Sequence, residues 1–124
     1  MPWTIDYEPQ QQLVHVESAG LLAGPMINTL AAESVAVGRA HNCWHFLIDH
    51  SRAEVRVSVL EIYNRPAELA RLDMPPDSCI AIVHAPKDAQ LFTFFQNVTQ
   101  NRGIRTGTFT SIDEARQWLA GCSA

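Results

Sequence analysis

The sequence predicts an α/β domain: a mixed, mostly parallel sheet with an antiparallel N-terminal hairpin, flanked by about four helices. Three observations lead there. Short apolar runs alternate with amphipathic stretches of helical spacing, which is the signature of βαβ units. The first strand-like segments alternate in period two around a polar, proline-containing turn, as a hairpin does. The 124 residues, 47% hydrophobic and 18% charged, suit a single domain over 1–124 with one real core.

The elements follow in order. Trp3, Ile5 and Tyr7 share one face of a first strand, and Leu13-Val14-His15-Val16 follows after Glu8-Pro9-Gln10-Gln11-Gln12. Gly20 to Gly24 reads as a loop, with Pro25 placed where a first helical residue loses nothing by lacking an N–H. From Met26 to about Arg39, Ile27, Leu30, Ala31 and Val35 recur at helical spacing. Cys43 to Ile48 is nearly continuous in apolar character and ends at Asp49, which fits a strand covered on both faces.

Ser58 with Glu61 forms a capping box, so a helix starts near Ser58 and carries Val59, Leu60, Ile62 and Tyr63. Arg65-Pro66 should break it, with a further turn from Pro66, and Met74-Pro75-Pro76-Asp77 ends the segment. Cys79 to Val83 is the next buried strand, followed by His84-Ala85-Pro86. Asp88 to Asn101 forms the clearest helix, with Leu91, Phe94, Phe95 and Val98 on its apolar side and Gly103 as its stop. Ile104 to Phe109 is the last strand. A second capping box, Ser111 with Glu114, opens a helix with Ala115, Trp118 and Leu119 buried and Gly121 at its end.

Charge and composition exclude several classes of function. One Lys and eight Arg stand against thirteen acids, for a net charge of −4, and no run of Arg makes a phosphate-tracking face, so no nucleic-acid partner is expected. No apolar stretch approaches the ~18 residues of a spanning helix, and the N-terminal residues lack a signal-peptide pattern. Cys43, Cys79 and Cys122, odd in number and without a C-x-x-C pair, read as free thiols in a reducing cytoplasm. The five histidines lack metal-ligand spacing: His41 and His45 are separated by the start of a strand, and His15 and His45 read as sheet-face residues. Phosphate-cradling glycine motifs are missing, so no cofactor is expected.

The segments Phe46-Leu47-Ile48-Asp49, Val59-Leu60-Glu61-Ile62-Tyr63 and Ile80-Ala81-Ile82-Val83, then Asn101-Arg102-Gly103-Ile104 leading into Phe109 to Leu119, resemble the STAS fold. The likeness is to its SpoIIAA-like (STAS/Sec14-like) branch and runs from about Tyr7 to Leu119. It rests on core and cap residues and contains no catalytic signature. The resemblance implies a non-catalytic regulatory or protein-binding module, and possible phosphorylation at Ser58, with Ser51 as a second candidate. The Asp-Ser-Ser-Gly that frames the family's phosphoserine is replaced here by Arg56-Val57-Ser58-Val59. The plain alternative for Ser58 is an N-cap.

Ligands of parallel sheets sit beyond the carboxyl ends of the strands. The candidate binding residues are therefore Asp49, His50, Ser51, Ser58, His84 and Lys87, facing a protein partner or a second copy in a homodimer. A small ligand or lipid in a cavity between helices and sheet is the second reading and requires an enclosed apolar pocket of several hundred Å3. A hydrolase-like site is the third and requires His50 or His84 within about 3 Å of a serine oxygen. Phe92, off the apolar side of its helix, is expected to be exposed and to mark a contact surface.

Overall fold

In the computed structural model the described residues are 2–75, 77–101 and 103–122, with the backbone alone described at Arg65, Pro66 and Leu69. Pro76 and Arg102, placed by the sequence in a break and at a helix end, lie outside them. The elements run β1 (Trp3–Glu8), β2 (Leu13–Ala23), α1 (Gly24–His41), β3 (His45–Arg56), α2 (Val59–Ala70), β4 (Cys79–Val83), α3 (Ala89–Asn101), β5 (Arg105–Phe109) and α4 (Ile112–Ala120). A 3-10 turn, Pro86–Asp88, leads into α3. The five strands form one sheet in the order β1-β2-β3-β4-β5. β1 and β2 are antiparallel, and the other pairings are parallel, with Phe46 opposite Ile80 and Ile82 opposite Thr108.

Neighbouring parallel strands joined by crossovers of one hand place their connecting helices on one face. Accordingly α1, α2 and α3 share a face, and among the described residues α4 lies alone on the other. The first face holds the larger core, built from Trp3, Val14, Val16, Leu22, Leu30, Val35, Phe46, Ile80, Ile82 and Phe92. The second holds Leu13, Leu47, Cys79, Ala81, Val83, Ala115, Leu119 and Cys122. Alternation explains the split: Phe46 and Ile80 point one way, and Leu47 and Ala81 the other. Every residue of β4 is buried, as a central parallel strand covered on both sides requires.

Polar contacts fix the helices to the sheet. The Trp3 indole N–H donates to Glu33 of α1 at 2.9 Å, and Tyr7 stacks on His41 with ring centroids 4.1 Å apart. At the other edge of the sheet, Thr99 Oγ1 bonds Thr106 Oγ1 at 2.8 Å, Thr108 donates to the Gln96 amide oxygen at 2.9 Å, and Gln100 Nε2 donates to the Thr106 carbonyl at 2.9 Å.

Several expectations are corrected. Gly20 to Gly24 is not a loop: β2 continues to Ala23, and Gly20 sits within it at φ +77°, a conformation glycine takes without the Cβ penalty. β3 does not end at Asp49 but runs on to Arg56, because the extended β2 stays paired with it from Ala19–Arg52 through Ala23–Arg56 after a register shift between Glu17 and Ala19. α2 is not broken at Arg65-Pro66; its backbone continues to Ala70, forfeiting the one bond a proline cannot donate. Phe92 is not exposed: it is 7% accessible and belongs to the larger core, whereas Phe94 and Val98 are only partly buried. The reading of three free thiols also fails. Cys79 and Cys122 are joined in a disulfide, because the first residue of β4 and the residue just past α4 meet across the second core. Cys43, buried, is the free cysteine among the described residues.

Candidate functional site

The six candidate residues sit in different environments: Asp49, His50 and Ser51 lie within β3, Ser58 just after it, and His84 and Lys87 just after β4. Asp49, His50 and Ser51 are consecutive in β3, so Asp49 and Ser51 project from one face and His50 from the other. Asp49 Oδ1 accepts from the Ser51 backbone N–H at 2.9 Å and from its hydroxyl at 2.6 Å. That bond closes Asp49 onto its own strand and keeps it away from the His50 ring.

His50 is buried in the larger core. Its Nδ1 shares a 2.6 Å hydrogen bond with Ser18 Oγ, which also lies 3.3 Å from the Asp49 carbonyl oxygen. Burial drives the His50 pKa down to about 4, against a small opposing pull from Asp49, so the ring is neutral at pH 7. His84 is buried too. Its Nδ1 donates to the Ala85 carbonyl at 2.8 Å, and its ring stacks on Phe92 at 5.1 Å, with His50 at 6.2 Å on the same phenyl. Phe92 is thus the apolar cover over both imidazoles.

This arrangement decides between chemistries. A serine oxygen does lie within reach of His50, but it is Ser18, a β2 residue only 5% accessible. A nucleophile must meet its substrate, and this pair is a bond inside the core. The cavity beside it, lined by Ile27, Leu30, Ile48, His50, Phe92 and Phe95 among others, has a volume of about 90 Å3. Ligand pockets hold roughly 300 Å3 or more, so this one is far too small for a lipid. Among the described residues, no three of His, Cys, Asp and Glu converge as metal ligands would. No helix among them is long and apolar enough to cross a membrane.

The remaining candidates, Ser51, Ser58 and Lys87, are exposed. Ser58 caps α2: the Glu61 N–H donates to Ser58 Oγ at 3.1 Å, and the Ser58 N–H donates to Glu61 Oε1 at 3.0 Å. The capping box read from the sequence is therefore formed. Gly24, first residue of α1, makes room for it, since a Cβ there would overlap the Glu61 carboxylate. Arg56, by hydrogen bond and charge, and more weakly Lys87 hold the exposed Glu54 carboxyl below its ordinary range. Lys87 thus lies within electrostatic reach of the far end of β3.

Sequence reasoning missed the character of the helix that Ser58 opens. Of the four large apolar residues in its first five positions only Ile62 is buried; Val59, Leu60 and Tyr63 are 64%, 67% and 54% exposed. The signal was present in their spacing. Val59 and Tyr63 are four apart and Leu60 and Tyr63 three apart, so the three share the face that turns away from Ile62.

Comparison with solved structures places this architecture. The chain superposes on the anti-sigma factor antagonist SpoIIAA in its unphosphorylated form with a TM-score of 0.56, covering 96% of this chain and 98% of that one at 11% identity. The domain has the SpoIIAA-like STAS fold. An anti-sigma factor antagonist from Mycobacterium paratuberculosis matches with a TM-score of 0.59, covering 94% of this chain and 93% of that one at 13% identity. No family model and no curated protein sequence matches the chain. At such identities the likeness to the STAS structures is one of architecture, carried by core alternation and caps.

Proposed function

We propose that this STAS-fold chain is a non-catalytic regulatory module that docks a protein partner through the N-terminal half of α2. The observation that carries this reading is the exposure of Val59, Leu60 and Tyr63 together on one helical face beside the accessible Ser58. Three large apolar side chains left in water on one face mark a surface that is covered in a complex. Two structures of the same fold are of anti-sigma factor antagonists, a name that implies a protein target, which agrees with the surface. Ser51 and Lys87 form the polar rim in this reading. His50 and His84 act from beneath, setting the position of Phe92 rather than touching the partner.

Ser58 supplies regulation in the same reading. A phosphate on its Oγ would bring nearly two negative charges to the amino end of α2, where free N–H groups favour them. It would also meet the Glu61 carboxylate that shares the cap, and would displace it. Phosphorylation therefore alters the surface directly beside Val59 and Leu60. The setting we propose is the cytoplasm, where the Cys79–Cys122 bond is open to reduction, and the partner is a protein rather than nucleic acid, in keeping with the net charge of −4. A second copy of this chain is the competing occupant.

The test is affinity capture from the native cell, quantified by mass spectrometry, with wild type, Leu60→Glu and Gln117→Glu as baits. Partners held by wild type and Gln117→Glu but lost by Leu60→Glu support the reading. Equal recovery by all three refutes it. Recovery of the chain's own untagged copy alone assigns the face to self-association.

A further inference from the structure

We propose that the Cys79–Cys122 disulfide is a redox latch that governs how firmly α4 is held on the sheet. Among the described residues α4 is the one helix on its face, nine residues long, with Ala115 and Leu119 as its buried residues. An isolated helix of that length is unstable in water, so its order depends on what it packs against. Beneath it lie Leu13, Leu47, Ala81 and Val83, an apolar sheet surface with no second helix to cover it. The disulfide ties the carboxyl end of this helix to the first residue of a central strand, 43 residues away in sequence. Ile112 and Trp118 add partly buried contacts, and the bond is the covalent tether at the helix's carboxyl end.

The two sulfurs differ in access, and this gives the latch a direction. Cys79 is fully buried, whereas Cys122 is 9% accessible and lines an open groove with Gln117, Trp118 and Gly121. A dithiol reductant entering the groove attacks Cys122 Sγ with one thiolate. The S–S bond breaks, and Cys79 leaves as a thiolate that takes up a proton. The reductant's second thiol then attacks the mixed disulfide, freeing Cys122 as a thiol and closing the reductant's own disulfide. Two electrons and two protons pass to the protein. The carboxyl end of α4 is then held by Ala115 and Leu119 together with the amino-end contacts, where the Ser111 cap and the Arg116–Glu8 pair remain. Reduction therefore frays the helix from Cys122 backwards and uncovers the second core while the larger core stays closed.

This inference concerns the face opposite α2 and stands whether or not a partner docks there. The experiment is hydrogen–deuterium exchange on the full chain after oxidation with glutathione disulfide and after reduction with dithiothreitol, alongside maleimide counting of thiols. One reactive cysteine in unfolded oxidised protein and three in reduced protein are expected. Exchange across 112–122 should then accelerate by roughly tenfold or more on reduction, with α1 and α3 unchanged. Cys122→Ser should show the fast exchange without reductant and no further response, while Cys43→Ser should respond as wild type does. Three reactive thiols after oxidation, unchanged exchange in α4, or acceleration in all helices together would each overturn the latch.

Discussion

His50 Nδ1 and Ser18 Oγ lie 2.6 Å apart inside the larger core, joining β3 to β2 where the pairing of the two strands shifts register. The bond supplies a polar partner to an imidazole that has been stripped of water, and burial holds the ring neutral with a pKa of about 4. In the unfolded chain the same ring titrates near 6.5. Between those values the unfolded state binds the proton that the folded state refuses, so stability rises with pH across the window and is lost on acidification. The loss accumulates to about 3 kcal/mol by pH 4 and then levels off for this group. Urea unfolding of wild type between pH 7.5 and 4 should show this slope, and His50→Gln should flatten it. An equal slope in both proteins would remove His50 as its cause.

The Arg116–Glu8 pair carries a second pH dependence. Arg116 meets Glu8 through both terminal nitrogens, at 2.9 and 3.1 Å, and reaches Gln11 as well. Hydrogen bonding and charge from Arg116 hold the Glu8 carboxyl below its ordinary value near 4.5. Its contribution is therefore complete above that value and disappears as pH falls through the lowered one. Arg116→Ala should cost about 1 kcal/mol at pH 7, because the pair is partly exposed and screened. NMR titration of the Glu8 carboxyl should show its pKa returning upward in the variant.

The cap on α2 separates structure from regulation at Ser58. Ser58→Ala removes the acceptor for the Glu61 N–H and should lower stability by about 1 kcal/mol. Ser58→Asp keeps an acceptor and should remain near wild type in urea unfolding. A partner lost by Ser58→Asp but kept by Ser58→Ala therefore reports charge rather than capping.

A tight approach at Gly38 gives a test of packing. A Cβ at this α1 residue would stand 2.6 Å from the Cys43 carbonyl oxygen and 3.0 Å from the edge of Phe46. The first neighbour is backbone and cannot swing away. Gly38→Ala should cost about 1–3 kcal/mol despite the better helix propensity of alanine, as a denaturation midpoint would show.

Much of the architecture was legible in the sequence because each layer left a local signal. The Ser58–Glu61 capping box, the Ser111 N-cap, the apolar runs at Phe46–Ile48 and Ile80–Val83, and the opening hairpin all appear where their patterns place them. What stayed hidden was non-local. Asp49-His50-Ser51 reads as a turn by composition, and only its pairing with the long β2 keeps it extended. Phe92 looks peripheral on a helical wheel, because the space it fills is made by His50 and His84 from two other segments. Thr99 is fully buried although polar, since its hydroxyl is satisfied by Thr106 and by helix carbonyls. The partnership of Cys79 and Cys122 has no spacing signature and exists through the placement of α4 alone.

The central claim is that the outer face of α2 is where a protein partner sits. A photo-crosslinking residue at position 60 in the cell, compared with the same residue at position 117 on α4, tests it most directly. Mass spectrometry should find one protein joined in high yield from position 60 and not from 117, with the adduct abolished by Tyr63→Glu. Crosslinks that form equally from both positions, or from 117 alone, would contradict it.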